Sequence, residues 1–440
     1  MNSTENEVLE FMKENDVKFV RLGFCDLFGI QKNISIMVEE LEQAFRNGVS
    51  FDAHAVSSFR DVTQSDLFLF PDPSTLMVLP WRPGSGRVAR FYCDIRTPQG
   101  DAFELDGRHI LKRAEQECAD LGFACRIGAE CEFYLFKTDE NGDPAYITLD
   151  KGSYLDISPL DKGEDIRREI CLTLEEMGIN PETSHHEQGP GQNEIDFRFS
   201  DALSCADNLL TFKSVVKAIA ARNGLFASFM PKPLPDEAGS GMHVNLSLTG
   251  NGQNIFKNMI SSGHDAQAES FIAGILSKIP EITLFLNPLA NSYERFGAFE
   301  APEYVSWSHQ NRSQLIRIPA AAGDKARMEL RSPDPSLNPY LAFSLILCAG
   351  LDGIRNSLIL PPAVSADLYT APAAVTDSLV RLPDSLGAAA ELARGSEFSA
   401  RVVGKDLLAK FAAAKESEAA AFAAAENKAE FFTKRYFSYI

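Results

Sequence analysis

GAECEFYLF, Gly128–Phe136, places two carboxylates, Glu130 and Glu132, two positions apart in a run that otherwise reads as a buried strand. Residues i and i+2 of a strand share one face. Two like charges side by side on an apolar element repel, and burying even one of them unpaired costs several kcal/mol. Something positive must sit beside them, and a hard divalent cation such as Mg²⁺ or Mn²⁺ suits carboxylate oxygens. Alone, such a pair reads first as a solvated strand edge. Its company decides.

Three further runs repeat the pattern of one apolar and one polar face. In SHHEQGPGQNEIDFRF (184–199) the Gly and Pro predict a loop, and Asn193–Phe199 a strand with Glu194, Asp196 and Arg198 on one face and Ile195, Phe197 and Phe199 on the other. MHVNLSL (242–248) sets His243, Asn245 and Ser247 opposite Val244, Leu246 and Leu248, and RMELR (327–331) puts Glu329 with Arg331. If these strands lie in one curved sheet, their polar faces line a common cavity. Glu130, Glu132, Glu187, Glu194, His243 and Glu329 can then hold two or three divalent ions. Singly, His243 also reads as a core histidine and Glu329 as an ion-pair partner of Arg331.

Arg295, Arg312, Arg317, Arg327 and Arg331 crowd the same part of the chain. Each alone reads as a surface ion pair. Acidic metal ligands combined with clustered guanidinium groups suit a nucleotide polyphosphate and a phosphoryl group in transfer. No GxxxxGK[ST], and no GxGxxG after a strand, is present.

Ahead of the pair lies a small mixed unit. Residues 5–14 have helical spacing, KFVRLGFCDLFGIQKNISIM (18–37) reads as two strands about a turn, and a helix from Glu39 to Asn47 stops at Gly48. FDAHAVSSF (51–59), SDLFLFPDPSTLMVLPW (65–81) and RVARFYCDI (87–95) read as extended, so this domain spans residues 1–100 and a second one 101–440. In the second, helices follow Asp106, Gly163 and Asn338, a long helix runs from Ala202 to Asn223, and the Ala-rich last ~70 residues read as surface helix.

The 440 residues, 45% hydrophobic, support a sizeable core, and a net charge of -19 argues against nucleic acid or an anionic membrane as partner. The N-terminus lacks signal-peptide features, and no apolar run is long enough to span a bilayer, which predicts a soluble cytoplasmic protein. Eight cysteines without CxxC spacing read as core residues of a reducing compartment rather than as catalytic thiols.

GAECEFYLF, HHEQGPGQNEIDFRF, GSGMHVNLSL, NSYERFGAFEAPEY, NRSQLIRIP and RMELRSPDPSLNPYLA occur in order, and with them nearly the whole chain resembles a type I glutamine synthetase. The resemblance implies an α+β protein with a small N-terminal β-grasp domain and a large catalytic domain, whose curved, mostly antiparallel sheet is flanked by helices. It also implies a dodecamer of two hexameric rings with active sites between subunits. Glu132, Glu187 and Glu194 would hold one Mg²⁺ or Mn²⁺, and Glu130, His243 and Glu329 the second. Arg295 and Arg331 would grip glutamate, with Gly239 against it, and Arg312 and Arg317 would neutralise phosphate charge. Phe199, Asn245, Ser247 and Arg327 would lie near ATP. Asp52 from a neighbouring subunit, with Tyr154, Glu187 and the flap residue Glu300, would form the ammonium pocket. The implied reaction phosphorylates the glutamate side chain from ATP, and ammonia then displaces phosphate to give glutamine.

The chain departs from the family pattern in places. Ala53, His54 and Ala55 replace Gly-Ser-Ser after Asp52, Ala238 stands where many relatives have Asn, and the flap ERFGAFEAP is one residue shorter. These changes bear on the amine, so a γ-glutamyl ligase for a small organic amine is the alternative. A catalytically silent structural or regulatory oligomer is the alternative from another class. Tyr369, near the site where some relatives are adenylylated, lacks their surrounding sequence and reads as an ordinary tyrosine.

Overall fold

Val8 and Met12, one turn apart, are the buried face of α1 (Glu5–Glu14) in a computed structural model that describes residues 5–56, 59–81, 85–259 and 264–440. A hairpin follows, β1 (Val17–Cys25) and β2 (Gln31–Met37), whose turn is fixed by Asp26 Oδ1 accepting from the Phe28 and Ile30 N–H groups. Gly48, at φ +69°, ends α2 (Leu41–Asn47) in a conformation that disfavours any residue with a β-carbon. With β3 (Val49–Asp52), β4 (Asp66–Pro71), β5 (Met77–Val78) and β6 (Arg87–Arg96) these strands form one sheet, ordered β2-β1-β6-β4-β3 with β5 on β6. Among the described residues of this sheet only β1 and β6 run parallel. The expected extended run 51–59 is shorter than predicted: the strand stops at Asp52, bends follow, and Ser57 and Ser58 lie outside the described residues.

Asp106 caps α3 (Gly107–Asp120) as its sequence predicts, one oxygen accepting from the Arg108 N–H and the other from the Ile95 N–H, so the cap also ties α3 to β6. Arg108, 3% exposed, then reaches Asp72 at 2.9 Å, Asp94 at 2.7 Å and Asp207 at 3.1 Å, fastening the small sheet to the rest of the chain.

β7 (Phe123–Thr138), which contains both glutamates, is the axis of the larger sheet. Around it lie β8 (Pro144–Thr148), α4 (Glu164–Glu176), β9 (Pro181–His186), β10 (Gln192–Phe197), α5 (Ala202–Arg222), β11 (Leu225–Ser228), β12 (Met242–Gly250), β13 (Gln253–Asn254), α6 (Ala266–Leu286), β14 (Trp307–His309), β15 (Ile316–Ile318), β16 (Met328–Leu330) and α7 (Pro339–Arg355). The sheet runs β14-β15-β16-β12-β7-β10-β9, with β8 and β11 also on β7 and β13 on β12. Among the described residues only β14 and β15 are parallel, so the sheet is mostly antiparallel as expected. α3 and α5 pack on the apolar side of β7, and α6 and α7 pack on each other.

Sequence reading missed β9, because the polar stretch ETSHH carries no apolar alternation. It also placed the C-terminal elements on the surface. These are α8 (Ala373–Thr376), α9 (Leu386–Arg394), α10 (Glu397–Val403), α11 (Lys405–Ala424) and α12 (Lys428–Phe432). α11 buries Leu407, Leu408, Phe411 and Ala412, and Phe411 stacks on Phe285 of α6 at 4.6 Å. The apolar row recurs at helical spacing, but the surrounding alanines mask it. No helix among the described residues is long and apolar enough to cross a membrane.

Candidate active site

Antiparallel register turns the four sequence patterns into one surface. Glu130 on β7 pairs with Asp196 on β10 and with His243 on β12, Glu132 pairs with Glu194, and Glu329 on β16 pairs with Asn245 and with Arg317 on β15. Above this surface opens a cavity of about 700 Å³ lined by Glu130, Glu132, Glu187, Glu194, His243, Arg295, Arg312, Arg317 and Arg331, together with Tyr154, Gly239 and Glu300. Glu329 lies beneath it, fully buried, its two oxygens taken by Arg331 and, at 2.6 Å, by Arg317. Gly239 and Gly241 are required by close approach. A β-carbon on the first would meet Pro231 O at 2.6 Å and Arg295 Cγ at 2.7 Å, and on the second Arg295 Nη2 and His243 Nε2 at 2.9 Å. Arg295 is held in turn by the Ser332 and Arg331 carbonyls at 2.8 and 3.0 Å.

Phe199, Asn245, Ser247 and Arg327 gather on a second cavity of about 280 Å³, which shares Glu130 and Asp196 with the first. The strand carrying Phe199 ends at Phe197, so Phe199 leaves the core face expected for it and stands 56% exposed against Gly128. Phe299 and Glu300 lie consecutively in left-handed backbone, φ +48° and +63°. Such a pair persists where contacts over-determine it. Here Glu300 lies 3.5 Å from Arg331 and 3.6 Å from Arg312, and the Lys232 ammonium sits 4.6 Å over the Phe299 ring. Asp52 is not brought to either cavity within this chain; it ends β3, exposed, and accepts from the His54 N–H at 2.9 Å. Sequence reasoning passed over His185, which meets Glu187 at 3.0 Å, and Gln192, which donates to Glu132 at 2.9 Å; Tyr369, read as an ordinary tyrosine, donates its hydroxyl to the Ala301 carbonyl beside the flap. The first follows from β9, which the sequence hid.

Residues 16–98 match the family model described as glutamine synthetase, beta-Grasp domain, and residues 104–434 match that of glutamine synthetase, catalytic domain. The chain belongs to the glutamine synthetase family. It is 46% identical to a glutamine synthetase of Clostridium saccharobutylicum over 94% of this chain and 95% of that one. It is equally identical to one of Methanosarcina mazei, over 94% of each. A solved structure titled GmaS/ADP complex superposes with a TM-score of 0.87 at 30% identity, covering 98% of this chain and 99% of that one.

In this member of the glutamine synthetase family the donor atoms fit divalent cations. Glu130, His243 and Glu329 bring ligand atoms within 4.8 Å of one another, and so do His185, Glu187 and Glu194. The second trio carries His185 where Glu132 was expected; Glu132 Oε2 accepts from the Gln192 amide and the Gly241 N–H, each at 2.9 Å. Burial and Arg331 hold His243 below its usual pKa, which leaves it neutral with a lone pair for a cation. At Glu130 burial is outweighed by hydrogen bonds from His243 and Asn245 and by the Arg327 charge, and the carboxyl falls to about 2. Burial and then the Glu187 charge raise Glu132 to about 8, and burial and Asp196 raise Glu194 well above its ordinary value.

A cation entering beside Glu132 must therefore displace a proton at neutral pH. Below about pH 8 the acid is protonated in the metal-free chain, so apparent metal affinity should fall as pH drops, by about tenfold per pH unit for each proton displaced. Calorimetry with Mn²⁺ between pH 6 and 8.5, in buffers of differing ionisation enthalpy, measures both the slope and the protons released. A flat profile would mean that these acids are already ionised.

Proposed function

We propose that this chain ligates ammonia to the γ-carboxylate of L-glutamate at the expense of ATP, through γ-glutamyl phosphate, giving L-glutamine, ADP and phosphate. The observation that carries the reading is one cavity joining carboxylates, a neutral imidazole and four guanidinium groups to a smaller cavity suited to a nucleotide. In this reading Phe199 stacks on the base, Asn245, Ser247 and Arg327 hold the nucleotide, and Arg312 and Arg317 balance the phosphoryl charge. Arg295 and Arg331 grip glutamate, with Gly239 leaving it room. The metal ligands are Glu132, Glu187 and Glu194 for one ion, with Glu130, His243 and Glu329 for the other. Mg²⁺ or Mn²⁺ there would screen the polyphosphate and polarise the transferred group.

Glu187 and Glu300 make the amine side of the cavity anionic, as selection of ammonium and removal of its proton require, and the neutral Tyr154 hydroxyl lines the same side. Asp52 would complete that side from a neighbouring subunit, which accounts for its exposure on the edge strand of the small sheet. This makes the working enzyme a homo-oligomer, in our reading a cytoplasmic dodecamer of two rings, with domains at 1–100 and 101–440. A small organic amine is the second reading. His54 and Ala55 stand where the family pattern has the two serines after Asp52, which removes hydroxyl groups on that side.

Phosphate release from ATP with Mg²⁺ and glutamate separates the two when ammonium is compared with methylamine, ethanolamine and putrescine and products are identified by mass. Ammonium should be the best nucleophile, with glutamine formed. Preference for an alkylamine would establish the second reading, and no release with any amine would sink both.

A further inference from the structure

Away from the active site, a cavity of about 120 Å³ lies where the small sheet meets α5. Arg21, Gln31, Lys32 and Arg90 line it from β1, β2 and β6, and Thr211 and Ser214 from α5. Three of these side chains are cationic, and no carboxylate lines it among the described residues, in a chain whose net charge is -19.

Arg90 is 6% exposed, and its Nε and Nη1 are buried without any hydrogen-bond partner among the described residues. Among the described residues Nη2 reaches only the Met77 sulfur, at 3.0 Å, and the guanidinium lies 3.7 Å over the Tyr92 ring. Arg108 shows the contrast: equally buried, it is met by three carboxylates. The face of a tyrosine recovers part of the desolvation cost of a guanidinium, but not its unmade hydrogen bonds. The polar wall is also ordered. Gln31 donates to the Tyr92 hydroxyl at 2.8 Å and accepts from the Ser214 hydroxyl, and Thr211 lies 3.0 Å from the Tyr92 oxygen.

We infer that this cavity is a binding site for a compact oxyanion, held by the Arg90 guanidinium, with Lys32, itself 3.7 Å from Asp26, also in the lining. Its volume is that of about four water molecules, which fits a phosphate ion or the carboxylate end of a small acid and excludes a nucleotide. Guanidinium groups bind both kinds of head through paired charge-assisted bonds. Because the lining comes from both the small sheet and α5, the bound anion would fasten together two parts of the chain that approach each other here.

The test is calorimetry on the full-length protein with Mg²⁺ and ADP saturating, titrated with inorganic phosphate, acetate or succinate at chloride-matched ionic strength. Wild type should show a saturable event that Arg90→Met weakens at least about tenfold, the loss expected for charge-assisted bonds, and that Lys32→Met weakens less. Binding should also raise the unfolding temperature of wild type and not that of Arg90→Met. Whether phosphate or the carboxylates bind more tightly identifies the source of the anion. Equal affinity in wild type and Arg90→Met, or no saturable event with any of the three, would overturn the site. If Arg90→Met does not fold, unchanged affinity in Lys32→Met overturns it instead.

Discussion

Replacing Glu329 with glutamine is expected to lower turnover by roughly 10²–10³-fold, the scale seen when one charge-stabilising group is removed from an active site. Glu329 is fully buried in β16, its oxygens shared between Arg331 and Arg317, with His243 at 3.7 Å. Glutamine keeps the volume and one acceptor. It loses the charge that both guanidinium groups and a cation would use, and it turns an amide N–H toward a donor. Alanine is the poorer test, because it leaves two largely buried guanidinium groups facing an empty space, a defect of about 3–5 kcal/mol that unfolds as well as inactivates. Phosphate release, with light scattering and circular dichroism on the same sample, separates the effects. Near-normal turnover of a folded Glu329→Gln protein would remove Glu329 from the metal ligands.

Arg331→Lys is expected to lower kcat/KM for glutamate by about 10²-fold, a loss carried by both KM and kcat. Arg331 is 1% exposed and binds Glu329, the Glu300 carboxylate at 3.5 Å and the Glu300 carbonyl at 3.3 Å. A planar fork can serve three partners in different directions; an ammonium on a flexible stem holds its partners less rigidly. The flap should loosen too, because Phe299 and Glu300 keep their left-handed backbone only while held. Faster proteolytic cleavage within 296–301 in the substrate-free variant would report this. Wild-type kcat/KM would mean that Arg331 ties down the flap and does nothing to the substrate.

Much of this site was legible because it lies on strands. Period-2 alternation put Glu130, Glu132, Glu194, His243 and Glu329 on polar faces, and antiparallel pairing could only stack those faces side by side. What failed to show has physical causes. β9 is polar on both faces over ETSHH, so His185 had no periodic signal to carry it. Phe199 follows a strand end that alternation cannot mark. The row of Leu407, Leu408 and Phe411 is diluted by alanine, which suits both surface and core. Asp52 does not line the cavity of its own chain, and one sequence folded once cannot bring it there.

β7 has a further use as a ruler. Glu130 and Glu132 stand two positions apart on an unbroken strand, so their attachment points are separated by roughly 6.6 Å, twice the rise per residue. That interval is set by peptide bond lengths and angles, which no side-chain repacking alters, whereas a site assembled from loops drifts with each neighbouring substitution. Insertion or deletion of a single residue between them would reverse the parity of the strand and turn one carboxylate into the core. Natural variation can thus reshape the flap and the residues after Asp52 freely, while the spacing between the two charge centres remains locked by the main chain itself.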